Sequence, residues 1–209
     1  MIRFLGDLPK KCTIAFSGGV DSVAVADFLL RGRKDVSLAF FHHGTKTSND
    51  AEPFVRSFAE GRRVDLTVGR LRDVRHPGKS QEEHWRDERY TFLSNLVGPV
   101  VTCHHLDDAV ETWLFTALHG DPRLIPYERG EVIRPFLITP KAELIDWAER
   151  NDLKWMEDET NLDVRHARNR IRHLILPETY HINPGLATVI RKKYLAVFPS
   201  CRMTGQGNA

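Results

Sequence analysis

The chain has 209 residues, which is enough for one main domain with a small appendage. Its 30 lysines and arginines nearly balance 28 aspartates and glutamates, so the overall charge neither requires nor excludes a nucleic-acid partner. Three widely spaced cysteines argue against a disulfide framework, and no segment has the apolar length of a signal peptide or a membrane helix. We therefore expect a cytoplasmic protein with no membrane partner.

Short β-rich runs alternate with helical patterns through the first part of the chain. The predicted strands lie at 12–16, 36–42, 64–68 and 99–103, and the predicted helices at 22–32, 50–61, 80–98 and 107–120. This order is typical of a parallel sheet whose strands are connected by helices. It predicts an α/β fold with a doubly wound, mostly parallel sheet and helices on both faces.

The second part of the chain has a different pattern. Two prolines and a glycine at 121–132 predict a loop at a boundary. A helix is predicted at 139–151, with Thr139 as its cap and Pro140 at its first position, and an arginine-rich helix at 161–176. We divide the chain into a main domain at 1–134, a short helical extension at 135–192 that completes it, and a flexible tail at 193–209.

A glycine-rich turn joins the first predicted strand to the first predicted helix. Its sequence, S-G-G-V-D-S at 17–22, lacks both the G-x-G-x-x-G pattern and the lysine of the common nucleotide P-loop. Backbone N–H groups in such a turn point outward at a helix N-terminus and favour a phosphate. Asp21 would repel phosphates unless a divalent cation lay between them, so it is a candidate magnesium ligand. The alternative is that Asp21 and Ser22 only cap the helix.

The fourth predicted strand leads into a second polar group. His104 and His105 end the strand, and Asp108 and Glu111 share one face of the helix that follows. Ligands of open α/β sheets bind just beyond the carboxyl ends of the strands, so this face is a candidate site. The alternatives are that the carboxylates only complement the helix dipole and that the histidines belong to the core.

These motifs resemble those of a known family. S-G-G-x-D-S resembles the pyrophosphate-binding loop of the PP-loop ATP pyrophosphatases, which split ATP into AMP and pyrophosphate while adenylating a substrate. The sequence at 104–112 resembles the H-H-x-D-D-x-x-E-T motif of the tRNA(Ile)-lysidine synthetases. Further matches follow in the same order: HHG at 42–44, EEHWRDERY at 82–90, RPFL at 134–137, KAEL at 141–144 and the segment 155–177.

The resemblance implies an adenine nucleotide alpha hydrolase-like fold and a two-step reaction. ATP, with Mg²⁺, would adenylate the C2 oxygen of the wobble cytidine in a tRNA(Ile) with a CAU anticodon. The ε-amine of free L-lysine would then displace AMP and form lysidine.

The resemblance also implies roles for individual residues. The implied catalytic residues are Asp21, His104, Asp108, Glu111 and Arg86; Asp21 is also the implied magnesium ligand, and Asp108 and Glu111 the implied lysine-binding pair. The implied ATP-binding residues are Phe16, Ser17, Gly18, Gly19, Val20, Asp21, Ser22 and His43. The implied tRNA-binding residues are Arg89, Arg165, Arg168 and Arg172.

The last three of these arginines are spaced three and four residues apart, so they form one stripe along the predicted helix. Arginines in such a stripe suit phosphate contacts. The alternative is an exposed helix face paired with nearby carboxylates, and the same alternative applies to Arg86 and Arg89.

The chain departs from the family pattern in three respects. Many family members continue into C-terminal domains that bind the tRNA, so we expect a minimal, catalytic-domain form here. The glycine-rich segment after the D-D-x-x-E helix is altered at 118–130, and Lys46 stands where arginine is common. We expect the ATP chemistry to survive these changes more readily than the selection of tRNA.

Three other functions are compatible with the sequence. The chain could be another adenylating enzyme of the same scaffold, thiolase-like or amide synthetase-like, acting on tRNA or a small molecule. It could bind a nucleotide or RNA without turnover, or it could be an α/β domain whose glycine-rich turn is only a helix cap. The sequence leaves a homodimer open.

Overall fold

The computed structural model describes residues 2–72, 78, 80–157, 167–198 and 202–203, and only the backbone of residues 82, 202 and 203. Its strands are β1 (Arg3–Phe4), β2 (Lys11–Ala15), β3 (Asp35–His42), β4 (Leu66–Arg70), β5 (Val100–Val101), β6 (Glu128–Arg129), β7 (Val132–Ile133) and β8 (Arg202–Met203). Its helices are α1 (Val20–Arg31), α2 (Lys46–Arg62), α3 (Gln81–Ser94), α4 (Leu106–Leu118), α5 (Lys141–Arg150), α6 (Ala167–Arg170), α7 (Leu176–Ile182) and α8 (Leu186–Val197). A π-helical segment, Ile171–Ile175, joins α6 to α7.

Six strands form one sheet in the order β4-β3-β2-β5-β7-β6. The first five run parallel and only β6 is antiparallel to its neighbour, which confirms the predicted mostly parallel sheet. From β2 the chain builds outward through β3 and β4, and then crosses to the other side of β2 at β5. The strand order therefore reverses between β2 and β5, and the connections leave a crevice at the carboxyl ends of these two strands.

Helices cover both faces of this sheet, as predicted. Because side chains alternate along a strand, Leu38 and Val101 point into the core that α1, α2 and α5 complete. Their neighbours Ala39 and Val100 belong to the core on the opposite face, with Leu93 of α3. Burial on both faces explains why these strands are continuous apolar runs rather than alternating ones.

The predicted loop at 121–132 is partly wrong, because it contains β6. Strands β6 and β7 form a hairpin, in which Arg129 pairs with Val132. Gly130 has a φ of +58°, the left-handed conformation that a two-residue hairpin turn requires. The hairpin adds two strands to the sheet beside β5 and brings Arg129 of β6 close to Tyr90 of α3.

The C-terminal helices pack against α4 in a second buried cluster, which includes Val110, Leu176, Ile190 and Tyr194. Helix α8 continues to Val197, and β8 pairs antiparallel with β1. The predicted boundary at 193 therefore falls inside a helix, because Tyr194 anchors its last turn in the core. The division of the chain into domains otherwise stays a prediction.

Two further predictions, the cap of α5 and the arginine-rich helix, have different outcomes. The predicted cap of α5 is wrong, because Pro140 occupies the N-cap and Thr139 is buried with its hydroxyl donating to the backbone carbonyl of Arg3. The arginine-rich helix is present from Ala167 onward, whereas residues 158–166 lie outside the described part of the chain. Among the helices that the structure describes, none is long and apolar enough to cross a membrane.

Candidate active site at the carboxyl ends of β2 and β5

Loop 17–22 connects β2 to α1 and is held in shape by its own last residue. The Ser22 hydroxyl accepts hydrogen bonds from the backbone N–H groups of Ser17 (3.3 Å) and Gly18 (3.1 Å). It also donates to the carbonyl oxygen of Gly19 (2.9 Å). Gly18 has a φ of +85°, which a residue with a side chain rarely adopts. Ser22 thus organises the loop from inside, whatever further contact it makes with a phosphate.

The N-terminus of α1 is open to an anion. Gly19 is the N-cap and offers no side chain to cap the helix, so the backbone donors of the first turn remain available. Asp21 lies in this turn, and its Oδ1 is buried without a hydrogen-bond partner among the described residues. This oxygen of Asp21 therefore caps no backbone N–H group, whereas Ser22 does bond to the backbone of the turn; the choice between a helix cap and a magnesium ligand stays a prediction.

The unpaired carboxylate oxygen of Asp21 is of the type that binds magnesium, so this residue suits the predicted role of magnesium ligand. Mg²⁺ is usually bound by one or two carboxylates together with water and substrate phosphates. In the described parts of the chain no three histidine, cysteine, aspartate or glutamate side chains form a group that could hold a metal without such help. A metal here would share its coordination between Asp21 and a bound triphosphate.

His105 links Asp21 to the start of α4. It is the N-cap of α4, is only 4% exposed, and its Nε2 lies 3.6 Å from Asp21 Oδ2 and 3.5 Å from Asp108 Oδ2. Its Nδ1 lies 3.7 Å from Asp107 Oδ2. Burial opposes the charged form, but the carboxylates of Asp108 and Asp21 outweigh it and raise the pKa of His105. His105 thus lies between two acidic groups from the first turns of different helices, Asp21 of α1 and Asp108 of α4.

Asp108 takes part in the same network. Its Oδ2 accepts a hydrogen bond from the backbone N–H of His105 at 3.1 Å. Burial by itself raises the pKa of this carboxyl, yet His105, His104 and Arg172 together hold it below its usual range. Asp108 is therefore a carboxylate at neutral pH.

His104 and His43 are neutral groups in the crevice. Burial is the main cause that lowers the pKa of each to about 4, and the nearby Arg89 guanidinium adds to this effect at both. The Nδ1 of His104 lies 2.9 Å from Thr102 Oγ1, and His43 Nδ1 is buried without a partner among the described residues. Both rings can give or accept a hydrogen bond without adding charge.

The crevice between β2 and β5 is a cleft of about 430 Å³. Of the residues predicted from sequence, its walls contain Phe16, Ser17, Asp21, Ser22, His43, Arg89, His104 and Asp108. Ala39, Phe40 and Phe41 of β3 supply an apolar wall opposite the polar loop. Apolar walls with a few placed polar groups are typical of small-molecule sites, and this one has room for a nucleotide.

Arg86 and Arg89 both lie on helix α3, but they differ in burial and in their position relative to the cleft. Arg89 lines the cleft, and burial, with Arg86 and Arg134 nearby, lowers its pKa. Arg86 is exposed and does not line the cleft. The arrangement thus places Arg89, and not Arg86, where a ligand in the cleft can reach it, while the catalytic role of Arg86 and the tRNA-binding role of Arg89 stay predictions.

Glu111 is only 2% exposed and both of its oxygens are bound by arginines. Arg168 Nη1 donates to Oε1 at 3.1 Å, and Arg172 donates to Oε2 from Nε at 3.0 Å and from Nη2 at 2.7 Å. Arg172 also lies 3.6 Å from Asp108. Arg168 and Arg172 of the predicted stripe thus face α4 and pair with a carboxylate of that helix, and their predicted contact with tRNA stays a prediction. Arg165 lies outside the described residues.

A second cavity of about 380 Å³ opens on the other side of His105. It is lined by His105, Asp107, Glu111, Lys141, Arg172, Leu176, Pro177 and Tyr180. Carboxylates and cations occupy the same wall, and three apolar or aromatic side chains complete it. A small zwitterion fits such a lining better than an anion or an apolar compound does.

Sequence reasoning missed four residues that shape this region: His105 as a link between acids, Thr102 beside His104, and Tyr90 and Arg134 near Arg89. His105 could have been noticed as the residue before an acidic helix. Tyr90 and Arg134 stood in the matched motifs, but nothing in their spacing indicated that they would meet.

Comparisons with known proteins identify a matching family and curated relatives. The PP-loop domain family matches residues 4–179. A tRNA(Ile)-lysidine synthase of Exiguobacterium sibiricum is 33% identical over 192 residues, which are 85% of this chain and 46% of that protein. One of Nitrosomonas europaea is 33% identical over 184 residues, 80% of this chain and 40% of that protein. The chain thus spans less than half the length of these curated relatives.

A solved structure shows the same fold. The U34-tRNA thiolase NcsA from Methanococcus maripaludis, determined with its [4Fe-4S] cluster, superposes with a TM-score of 0.69 at 16% identity. The superposition covers 94% of this chain and 76% of the thiolase. At this identity the likeness supports the adenine nucleotide alpha hydrolase-like architecture and not a shared substrate.

Proposed function

The chain belongs to the PP-loop family, and on that premise we propose that it joins free L-lysine to C2 of the wobble cytidine in a tRNA(Ile) with a CAU anticodon. ATP and Mg²⁺ would drive the reaction through an adenylated tRNA. One observation carries this proposal: His105, which lines the second cavity, lies within 3.6 Å of both Asp21 and Asp108, which line the cleft. A site for a nucleotide and a site for an amine-bearing zwitterion therefore lie next to each other, in contact through His105.

In the first step the cleft would hold ATP. The backbone donors of loop 17–22 and of the first turn of α1 would bind the β- and γ-phosphates. The C2 oxygen of the cytidine would attack the α-phosphorus, and pyrophosphate would leave. Arg89, at the cleft wall, would stabilise charge on the α-phosphate. Magnesium, where Asp21 binds it, would offset charge on the leaving pyrophosphate.

In the second step the neighbouring cavity would hold lysine. Glu111, which lines this cavity, would receive the ε-ammonium group together with Asp108 of the adjoining cleft, and Lys141 and Arg172 would face the carboxylate of lysine. The deprotonated amine would attack C2, and the bond from C2 to the adenylated oxygen would break to release AMP. Because Glu111 is already bound by two arginines, the ammonium group would compete with them when it enters.

The direct test measures pyrophosphate release and lysidine formation by the full chain. We expect incorporation of labelled lysine into a CAU-anticodon tRNA(Ile) transcript that depends on ATP and Mg²⁺. A transcript with a GAU anticodon is the matched control and should stay unmodified, and ornithine should replace lysine poorly. Incorporation of sulfur or ammonia into the same RNA, without lysine, would contradict the proposal in favour of a thiolase-like or amide synthetase-like enzyme.

A further inference from the structure

Four arginines surround one aromatic ring where α3 meets the β6–β7 hairpin. The guanidinium carbons of Arg86 and Arg89 each lie 5.8 Å from the centre of the Tyr90 ring, that of Arg129 lies 4.8 Å away and that of Arg134 lies 5.9 Å away. We call these five residues the Tyr90 cluster. Cation–π contacts hold each guanidinium near the ring, but the four positive charges repel one another.

The cluster lacks a fixed counterion within the described structure. None of the four arginines forms a salt bridge with a carboxylate whose side chain the structure describes. This differs from Arg168 and Arg172, which are both bound to Glu111. Like charges held together, with no acidic partner among the side chains that the structure describes, favour the binding of an anion.

Arg134 is the buried member of the cluster. It is 2% exposed, and it donates to the Tyr90 hydroxyl at 2.8 Å from Nη2 and to the carbonyl of Pro126 at 2.9 Å from Nη1. Its Nε is buried and has no hydrogen-bond partner among the described residues. These bonds tie the hairpin to α3, so the positions of the exposed arginines are set by the fold and not by flexible side chains alone.

The cluster extends from the surface into the cleft. Arg89 and Tyr90 line the cleft, whereas Arg86 and Arg129 are exposed outside it. ATP in the cleft would reach Arg89 but leaves Arg86 and Arg129 without a function. A ligand that occupies all of them must be a longer anion that enters the cleft at one point and continues over the surface.

We propose that the Tyr90 cluster is the entry surface for the RNA strand that carries the target nucleotide. This proposal rests on the function proposed above. Arg86 and Arg129 bind backbone phosphates next to this nucleotide, and its base enters the cleft past Arg89. Arg134 is a positioning residue, because it is buried and holds Tyr90 through its hydroxyl. Phosphate contacts of this kind fix where the strand lies and are indifferent to base sequence.

The test compares the salt dependence of RNA binding by the wild type and Arg129→Gln. The probe is a 17-nucleotide anticodon stem-loop with a CAU anticodon, followed by fluorescence anisotropy. Each lost phosphate contact should weaken binding severalfold and reduce the slope of log affinity against log salt by about one unit. Lys10→Gln is the matched control, since Lys10 is exposed at the amino end of β2 and loses the same charge away from the cleft.

A second pair of measurements separates this proposal from the proposed function. Arg86→Gln should repeat the loss of RNA affinity, and both variants should keep the wild-type affinity for ATP. If Arg129→Gln and Arg86→Gln bind the stem-loop like the Lys10→Gln control, or if the wild type does not bind RNA, the entry surface is refuted. If the wild type binds the stem-loop through these arginines but never attaches lysine, the proposed function fails and the surface stands.

Discussion

Loop 17–22 and the carboxylates of α4 lie at the same end of the sheet but are stabilised in opposite ways. The loop is held by Ser22, whose partners are three to five residues away in sequence. Glu111 is held by Arg168 and Arg172, which are 57 and 61 residues away. The first region is therefore preformed for an anion by local bonds, whereas the second is closed by distant side chains that a ligand must compete with.

This difference predicts distinct responses to substitution. Changes in the loop should affect every reaction that uses ATP, since nothing else in the cleft can replace its donors. Changes at Glu111 should affect only the use of lysine, whose ammonium group competes with Arg168 and Arg172 for this carboxylate.

The largest expected effect is at Asp21. Asp21→Asn keeps the size of the side chain but removes the charge that would bind magnesium, so ATP-dependent pyrophosphate release should fall by at least about a hundredfold. The measurement is pyrophosphate release over a range of magnesium concentrations. Asp35→Asn, at the amino end of β3 and 69% exposed, is the matched control and should leave the rate unchanged. Normal turnover with an unchanged magnesium dependence in Asp21→Asn would show that Asp21 binds no metal.

A smaller and more selective effect is expected at Glu111. Glu111→Gln should raise the lysine concentration needed for half-maximal rate by about tenfold or more, since one charge that receives the ammonium group is lost. Adenylation should persist, so single-turnover reactions with limiting lysine should accumulate adenylated RNA. Glu149→Gln, exposed on α5, is the control. Equal loss of both steps would assign the carboxylate to adenylation instead.

Arg168 tests the same contact from the other side. If Arg168 competes with the ammonium group for Glu111, Arg168→Gln should lower the lysine requirement by a few fold while adenylation stays constant. The double variant with Glu111→Gln should lose this gain, because the two side chains act through one contact. If Arg168→Gln instead weakens RNA binding and leaves lysine use unchanged, Arg168 contacts the tRNA, as the sequence predicted.

Sequence predicts those parts of the site whose residues lie close together along the chain. Loop 17–22 has its glycines, Asp21 and Ser22 in one short motif, and the apolar strands and helices around it fix its place at the sheet edge. The partners of Glu111 could not be predicted, because the spacing of the arginine stripe indicates a shared helix face and, by resemblance, tRNA contacts, but not which helix this face packs against. The Tyr90 cluster was hidden for a similar reason, since only the sheet order β5-β7-β6 brings Arg129 to α3.

The smallest expected effect concerns the pH dependence of folding stability. His104 has a pKa of about 4 in the folded protein against an ordinary value of 6.5, because burial disfavours its charge. The unfolded chain therefore binds more protons between these two pH values, so the free energy of unfolding should decrease as the pH falls from 6.5 towards 4. His105 has a raised pKa and acts in the opposite sense: its contribution is complete below pH 6.5 and is lost as the pH rises above that value.

Thermal unfolding at pH 5 and pH 7 can separate these two histidines. His104→Asn removes the titrating group but keeps a polar side chain for Thr102, so the melting temperature of this variant should fall less between pH 7 and pH 5 than that of the wild type. His105→Asn should have the reverse effect and make the fall steeper, since the stabilising charge near Asp21 and Asp108 is lost. His181→Asn, with an exposed ring on α7, is the control and should follow the wild type at both pH values. Identical pH dependence in all four proteins would mean that neither His104 nor His105 changes its protonation on folding.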